Sequence, residues 1–164
     1  EEMAEEGIQV RSRVLELSLI SAHGELAKEL QLPDDEKVIQ IRRLRSINNL
    51  PLVIETTHHP YNRFPKLLDL DFTDKSIYAV FEELYNLRPV ESKDYFVAEI
   101  ATKEIAELLD IKVGAPIMRY KRTAKDHSGQ VMEFTVSIYR ADLYQFVIYY
   151  QSHQQDFPQG GESS

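Results

Sequence analysis

Hydrophobic and polar residues alternate along several segments of this chain, which is the pattern of half-buried β-strands. The alternation and the β-branched residues predict strands at 12–19, 38–47, 51–55, 90–100, 117–124 and 130–140, with a further short strand at 146–150. Apolar residues three to four positions apart predict helices at 22–30, 76–87 and 102–109. Thr102 is a suitable N-cap for the last of these helices.

The predicted elements occur twice in the same order. Residues 26–32 and 105–111 align at their apolar positions and at a central alanine, and each is followed by a turn, a long strand, a polar turn and a second strand. Each unit therefore predicts strand, helix and β-hairpin. We expect an α+β fold, with one antiparallel sheet built from two pseudo-symmetric halves, helices packed on one face, and a ligand cleft where the halves meet.

Composition narrows the class of protein. The 164 residues, 43% of them apolar, suit one packed domain. No apolar run approaches the ~18 residues of a membrane span and no leader peptide is apparent, so we expect a soluble, cytoplasmic protein without a membrane partner. A net charge of −8 disfavours direct DNA binding. The absence of cysteine excludes disulfides, thiolate metal sites and a cysteine nucleophile.

Motifs for cofactors and catalysis are sparse. His58 and His59 are adjacent, but neighbours on a strand point to opposite faces, so we expect no metal site and no cofactor. Glu55 and Glu133 fall at equivalent positions of the repeat, and paired carboxylates can perform acid–base catalysis. Their equivalence follows from the repeat alone, however, so we predict no catalytic residues and no enzyme activity.

Two arginines lie within an apolar stripe. On a strand over 39–47 the odd positions share a face, which places Arg43 and Arg45 among isoleucines and points Arg42 the other way. Guanidinium groups buried in this way need anionic partners. A phosphate or carboxylate ligand would provide one through bidentate hydrogen bonds. A structural ion pair with Glu55 would satisfy them equally well.

The strand over 130–140 separates core from polar positions. The predicted core face carries Met132, Phe134, Val136 and Ile138. The opposite face, on the side away from the helices, carries Val131, Glu133, Thr135, Ser137 and Tyr139. This polar face is either a solvated sheet surface or the floor of a ligand cleft, and its hydroxyl groups suit the hydroxyls of a sugar.

These residues, in this order and spacing, resemble the UTRA domain, the effector-binding domain of the HutC subgroup of GntR-type transcription repressors. The resemblance covers about residues 1–150, and its matching segments are 2–7, 26–32, 43–55, 76–78, 106–109 and 133–142. It implies a fold similar to that of chorismate lyase. It also implies that the domain binds a small metabolite, often a phosphorylated sugar, in a cleft at the sheet.

The resemblance assigns roles to individual residues. Arginines at 43 and 45 would hold the anionic group or frame the pocket, residues 76 and 78 would hydrogen-bond the ligand at the start of the middle helix, and residues 133 and 139 would meet hydroxyls at the other end. With the glutamate and the serine that share their strand faces, the predicted ligand-binding residues are Arg43, Arg45, Glu55, Ser76, Tyr78, Glu133, Ser137 and Tyr139.

The resemblance also sets expectations for domains and partners. We expect the effector-binding domain at 1–151, a flexible tail at 152–164, and a helix end capped by Gly7 that continues from a preceding segment. Full-length members carry a winged-helix DNA-binding domain and act as dimers, so DNA contact would require that missing domain. A chorismate-lyase-like enzyme is one alternative. A dimerisation module without a ligand, paired through 144–150, is another.

The strand parity predicts which arginine substitutions affect ligand binding. Arg43→Ala or Arg45→Ala should weaken the binding of an anionic ligand by about 2 kcal/mol or more, because a charge-assisted hydrogen bond is lost. Arg42→Ala should change it little, since Arg42 lies on the other face. Isothermal titration of the three variants makes the comparison, and equal losses would refute the assignment of faces.

Overall fold

A computed structural model describes residues 9–149 of the chain. Its elements in chain order are strand β1 (Val10–Ser21), helix α1 (Gly24–Leu30), strands β2 (Lys37–Ile47) and β3 (Leu50–Pro60), a 3₁₀ helix (Pro65–Asp69), helix α2 (Ile77–Tyr85), strand β4 (Glu91–Ile100), helix α3 (Lys103–Leu109), and strands β5 (Pro116–Lys125) and β6 (Val131–Arg140). The strands form one antiparallel sheet in the order β1-β2-β3-β6-β5-β4.

The predicted repeat is confirmed. Strands β1 to β3 with α1 form one unit, β4 to β6 with α3 form the other, and the units join through β3 and β6 at the centre of the sheet. Matching backbone bonds mark equivalent positions, since the amide of Ala22 donates to Glu36 O at 2.8 Å and the amide of Ala101 donates to Ala115 O at 2.8 Å. The pseudo-two-fold axis therefore passes between β3 and β6.

The hairpin turns follow from residues that tolerate positive φ. Asn48 and Asn49 have φ of 49° and 65°, the backbone of a two-residue turn whose twist matches that of the flanking strands. In the second unit the carboxylate of Asp126 accepts from the amide of Ser128 at 2.8 Å and Gly129 has a φ of 78°. Both turns are at the predicted places.

Helices α1 and α3 cover one face of the sheet. Ile105 and Leu109 of α3 pack on Leu44, Ile54 and Ile138 of three neighbouring strands. Thr102 caps α3 as predicted, its hydroxyl accepting from the amide of Ile105. Burial of each such aliphatic side chain contributes roughly 1.5–3 kcal/mol, so the repeated helices are held chiefly by this packing.

Helix α2 and the 3₁₀ helix lie on the opposite face, so the prediction that all helices share one face is wrong. Ile39 and Ile41 of β2 present apolar side chains there and pack with Phe81 of α2 and Phe64. The rings of Phe64 and Phe81 meet edge to face at 4.8 Å. The segment between the two repeats therefore returns over the face that the repeated helices leave open.

A β-bulge corrects the predicted faces of β6. The register shifts at Ala124/Lys125, where Glu133 pairs with Ala124 and Val131 with Lys125. The extra residue, Met132, therefore points to the α2 side and packs with the core there, while Val131 packs with the α1 core. The sequence pattern assigned these two residues to the opposite faces, because alternation continues through a bulge only if one residue is skipped.

The same bulge shows that Glu55 and Glu133 are not equivalent. A matching shift in the first unit lies at Arg45/Ser46, where Arg45 pairs with Val53. Val53 is therefore the counterpart of Glu133. Because Arg43 pairs with Glu55 and Arg122 with Thr135, Thr135 is the counterpart of Glu55. The predicted equivalence of the two glutamates is wrong, and the repeat is asymmetric where its acids lie.

The last described segment is not a strand. Residues 144–149 have no regular secondary structure, so the predicted strand at 146–150 is wrong over its described part. The Phe146 ring instead contacts the rings of Tyr139 and Phe96, at 5.1 Å and 4.7 Å. The predicted helix end at 1–7 and the tail at 152–164 lie outside the described residues. No helix within 9–149 has the length and apolar character to cross a membrane.

A buried ion pair ties the second hairpin turn to the segment before the 3₁₀ helix. Asp126, whose side chain is 1% exposed, pairs with Arg63, and Arg63 also donates to Val131 O at 2.8 Å. Burial alone would raise the pKa of Asp126. Hydrogen bonds from Ser128 and the pairing with Arg63 outweigh burial and lower that pKa to about 2.

Asp126→Asn should therefore reduce the free energy of unfolding by about 2 kcal/mol at neutral pH. A carboxylate with a depressed folded-state pKa stabilises the fold above its unfolded pKa, and this contribution is lost as the pH falls through the folded pKa. The difference between wild type and variant should shrink as the pH falls from about 4 towards 2. Urea unfolding over that range measures it. Asp35→Asn, at an exposed site, is the matched control, and a pH-independent difference would contradict the assignment.

Candidate functional site

A cavity of about 410 Å³ opens on the α2 side of the sheet. Its floor is formed by β2, β3, β6 and β5, and one wall is formed by the loop and first turn that lead into α2. The structure brings together all of the sequence-predicted site residues around this cavity: Arg43, Arg45, Glu55, Ser76, Tyr78, Glu133, Ser137 and Tyr139. Their role in ligand binding stays a prediction.

Strand register arranges the floor in rows, because directly paired residues point to the same face. One row crosses the sheet through Arg43, Glu55, Ser137 and Tyr120. The next row crosses through Thr57, Thr135 and Arg122. Glu133 and Tyr139 thus lie on the same side as α2, although they face away from α1 and α3. The polar face of β6 is a cavity floor rather than a fully solvated surface.

Arg43 forms the structural ion pair that the sequence left open as one interpretation. Its side chain is 5% exposed, its Nε donates to Glu55 Oε1 at 3.1 Å, and a terminal nitrogen donates to the same oxygen. The other terminal nitrogen donates to Lys75 O at 2.7 Å. Arg43 therefore holds both Glu55 and the loop before α2 in place, so Arg43→Ala would cost stability as well as any ligand contact.

Arg45 is the more available guanidinium. Its side chain is 40% exposed and lies 3.6 Å from Glu55 Oε2, which corrects the expectation that both arginines are buried. Arg45 lies beside the bulge near the end of β2, where the floor opens. Its Nε is nevertheless buried and has no hydrogen-bond partner among the described residues. Arg42 points to the other face as predicted and pairs with Glu104 of α3 at 2.6 Å.

Glu133 is a buried carboxyl group at the α2 end of the floor. It accepts a hydrogen bond from the Tyr78 hydroxyl at 2.7 Å and is 3% exposed. Burial raises the pKa of Glu133 to about 7, against the lowering effect of the bond from Tyr78. Burial and the neighbouring carboxylate also raise the pKa of Tyr78, which keeps its phenol protonated as a donor. Glu133 can thus accept or donate a hydrogen bond near neutral pH.

Two threonines at the centre of the floor lack hydrogen bonds. Thr57 and Thr135 are directly paired, and the hydroxyl oxygen of each is buried without a partner among the described residues. A buried hydroxyl left unsatisfied costs roughly 1–3 kcal/mol. These hydroxyls, with the Nε of Arg45, are polar groups suited to meet the polar atoms of a bound molecule.

Sequence reasoning missed Arg122 and Tyr120 of β5. Arg122 lines the cavity and binds Asp94 through two bonds of 2.8 and 2.9 Å. The repeat contained the signal, because Arg122 stands at the position of Arg43 in the aligned strands. Lys75 and Ser12 also line the cavity, and they lie in segments without a pattern that marks them.

The adjacent histidines point to opposite faces, as predicted. The ring of His58 bonds to Phe134 O at 3.0 Å on the α1 side, and the ring of His59 bonds to Met132 O at 3.0 Å beneath α2. Burial lowers the pKa of His59 to about 4, so its ring is neutral at physiological pH. Within residues 9–149 no three potential metal-ligating side chains cluster.

Glu133→Gln should remove a pH dependence of stability. A carboxyl with a raised folded-state pKa keeps its proton in the fold after the unfolded chain has lost it, so its contribution to stability falls as the pH rises from about 4.5 through 7. Relative to wild type, Glu133→Gln should gain stability over that range, by roughly 3 kcal/mol at most. Chemical unfolding measures the difference, in which the histidines cancel. The exposed-site variant Glu107→Gln should give a flat difference, and an equally flat result for Glu133→Gln would refute the raised pKa.

Comparison with known proteins identifies the family. Residues 5–145 match the UTRA domain. The HTH-type transcriptional repressor NagR of Bacillus subtilis (strain 168) is 35% identical over 150 residues, covering 91% of this chain and 61% of the relative. The mannosyl-D-glycerate transport/metabolism system repressor MngR of Escherichia coli (strain K12) is 25% identical over 148 residues, covering 90% and 61%.

The structural comparison agrees. The effector domain of PhnF from Mycobacterium smegmatis superposes with a TM-score of 0.83 at 22% identity, covering 89% of this chain and 90% of the other. This likeness confirms the predicted chorismate-lyase-like α+β fold. The chain spans 61% of the length of the curated relatives above, all of them transcription regulators, which indicates a regulatory role. The chain belongs to the UTRA domain family and is the effector-binding domain of a GntR-type transcription repressor.

Proposed function

We propose that this domain senses a small sugar-derived anion, with a phosphorylated sugar as the first candidate. The observation that carries the proposal is a single cavity with two chemically different ends. Arg45, Lys75 and Ser76 line one end, and the hydroxyl-bearing strand β6 with Glu133 lines the other. A sugar phosphate has the same division between a charged group and several hydroxyls.

The charge balance of the cavity supports an anionic ligand. Arg43 is neutralised by Glu55 and Arg122 by Asp94, whereas Arg45 is held by a contact of 3.6 Å alone. Lys75 lies beside it at the start of α2, where the helix dipole also favours negative charge. An oxyanion at this end would gain charge-assisted hydrogen bonds from Arg45.

The hydroxyl end supports a polyol. Ser137 and Tyr139 can each donate or accept, and Glu133 accepts or donates according to its proton. The unsatisfied hydroxyls of Thr57 and Thr135 lie between the two ends. The volume of about 410 Å³ falls in the range of small-molecule sites. The name of MngR, which refers to mannosyl-D-glycerate, is consistent with sugar-related effectors in this family.

In the whole protein we place this domain behind a winged-helix DNA-binding domain, in a cytoplasmic homodimer. An effector that binds one arrangement of the dimer more tightly would shift the population towards it and change operator affinity. The effector domain itself carries a net charge of −8 and would not bind DNA directly. We assign it no catalytic residue, no metal and no cofactor, with the domain at 1–151 and a tail at 152–164.

Calorimetry can separate the two ends of the cavity. Titrate wild type and variants with a hexose 6-phosphate, the same hexose without phosphate, and inorganic phosphate. Arg45→Ala should weaken the hexose phosphate by about 2 kcal/mol and reduce its advantage over the free hexose. Thr135→Val should weaken both sugars equally, by about 1 kcal/mol.

Arg42→Ala, on the opposite face, is the matched control and should bind as wild type does. The proposal of a sugar-derived anion fails if wild type binds no member of a phosphosugar panel. It also fails if Arg45→Ala and Arg42→Ala bind alike.

A further inference from the structure

The outer edge of β4 is an unprotected strand edge. β4 pairs with β5 along all of its 10 residues, and within 9–149 no backbone group bonds to its other side. Its register is regular, without a bulge. Apart from Glu99, every residue of β4 is exposed. A long, regular edge of this kind is a template for pairing with another chain.

The opposite edge, β1, is protected in ways that β4 lacks. β1 carries a register shift between Val14 and Glu16. The loop before α2 also covers it, because the amide of Asp74 donates to Ser12 O at 3.0 Å and the amide of Ser12 donates to an Asp74 carboxylate oxygen at 2.7 Å. Bulges and covering loops are the usual means by which proteins block edge pairing. The fold blocks one edge and leaves the other open.

The open edge is apolar on both faces of the sheet. Tyr95 and Val97 are exposed on the α1 side, and Phe96 and Ile100 are exposed on the cavity side. The segment that follows Phe146, which packs against Phe96, adds further exposed apolar side chains at Val147, Ile148 and Tyr149. A continuous patch of this kind marks a protein interface rather than a solvated surface.

The sequence of β4 is complementary to itself in one register. Two antiparallel copies related by a two-fold axis perpendicular to the sheet keep their faces, so only residues of equal parity oppose each other. With the axis at Phe96, Lys93 opposes Glu99 twice and Tyr95 opposes Val97 twice. Moving the axis to residue 95 opposes Glu91 to Glu99, and moving it to residue 97 leaves no opposite charges paired.

We propose that β4 pairs antiparallel with β4 of a second copy about a two-fold axis at Phe96, which joins the two sheets into one. The inference rests on the proposed function only in taking a second copy as the partner. The pairing satisfies the open backbone groups of both chains and covers their apolar side chains. Because the axis is perpendicular to the sheet, both cavities open on the same face of the dimer.

Substitution at the edge tests the surface. In the 164-residue chain, wild type should sediment as a dimer, and Val97→Lys should raise the dissociation constant at least about tenfold by placing two lysines at the apolar seam. Leu19→Lys is the matched control, since Leu19 is 43% exposed on β1 and Val97 is 46% exposed on β4. A monomeric wild type, or a dimer weakened by Leu19→Lys and not by Val97→Lys, would overturn the proposal.

A charge exchange tests the register. Lys93→Glu alone opposes two pairs of acids across the seam, and Glu99→Lys alone opposes two pairs of lysines, so each homodimer should weaken. Mixing the two variants restores an acid–base pair at both places, and the mixed dimer should form at least about tenfold more tightly than either homodimer. Because Glu99 also pairs with Arg119, recovery in the mixture separates the seam from that local contact. A mixture no tighter than its components refutes the register.

The ligand readout is independent of these results. Calorimetry of Val97→Lys with a hexose 6-phosphate reports on the cavity. Binding by a monomeric variant supports the seam and the sensor function together. A dimer that behaves as expected but binds no phosphosugar retains the seam and refutes the proposed ligand class.

Discussion

The register between β3 and β6 is the constraint on which the site depends. These strands come from different units of the repeat, and their pairing sets Glu55 beside Ser137 and Thr57 beside Thr135. A slip of one residue would turn each of these side chains to the α1 and α3 face. The register is held from that face, where Ile54 and Ile138 pair directly and pack under α3. The apolar core on one side thus determines which polar groups meet on the other.

The asymmetry of the cavity arises from the segment between the repeats. If both units were identical, the two ends of the floor would carry the same chemistry. The inserted α2 packs over the β2 side alone, and Arg43 binds the loop that leads into it through Lys75 O. The counterpart of Arg43 in the second unit, Arg122, binds Asp94 instead. One half of the face is therefore filled with aromatic core while the other stays open, and a ligand meets a charged end and a hydroxyl end.

Period-two parity recovered most of the site from the sequence, because it depends only on local backbone geometry. It separated Arg42 from its neighbours and aligned Ser137 with Tyr139. It failed at Val131 and Met132, since a bulge adds a residue that no local pattern announces. The face chosen by α2 was equally invisible, because the stripe formed by Ile39 and Ile41 can be covered from a distant segment. Parity also cannot distinguish a buried arginine from an exposed one, which depends on the loop above it.

Two direct contacts connect the cavity to the open edge of the sheet. Arg122 lines the cavity and holds Asp94 of β4, and Tyr120 lines it and stacks on Phe96 with centroids 4.9 Å apart. A ligand that displaces either β5 side chain must therefore act on a residue of β4. At the proposed seam Phe96 would lie on the two-fold axis, so the same displacement would occur in both copies at one point. Coupling over so few contacts requires no long pathway through the core, because cavity and seam share neighbouring strands.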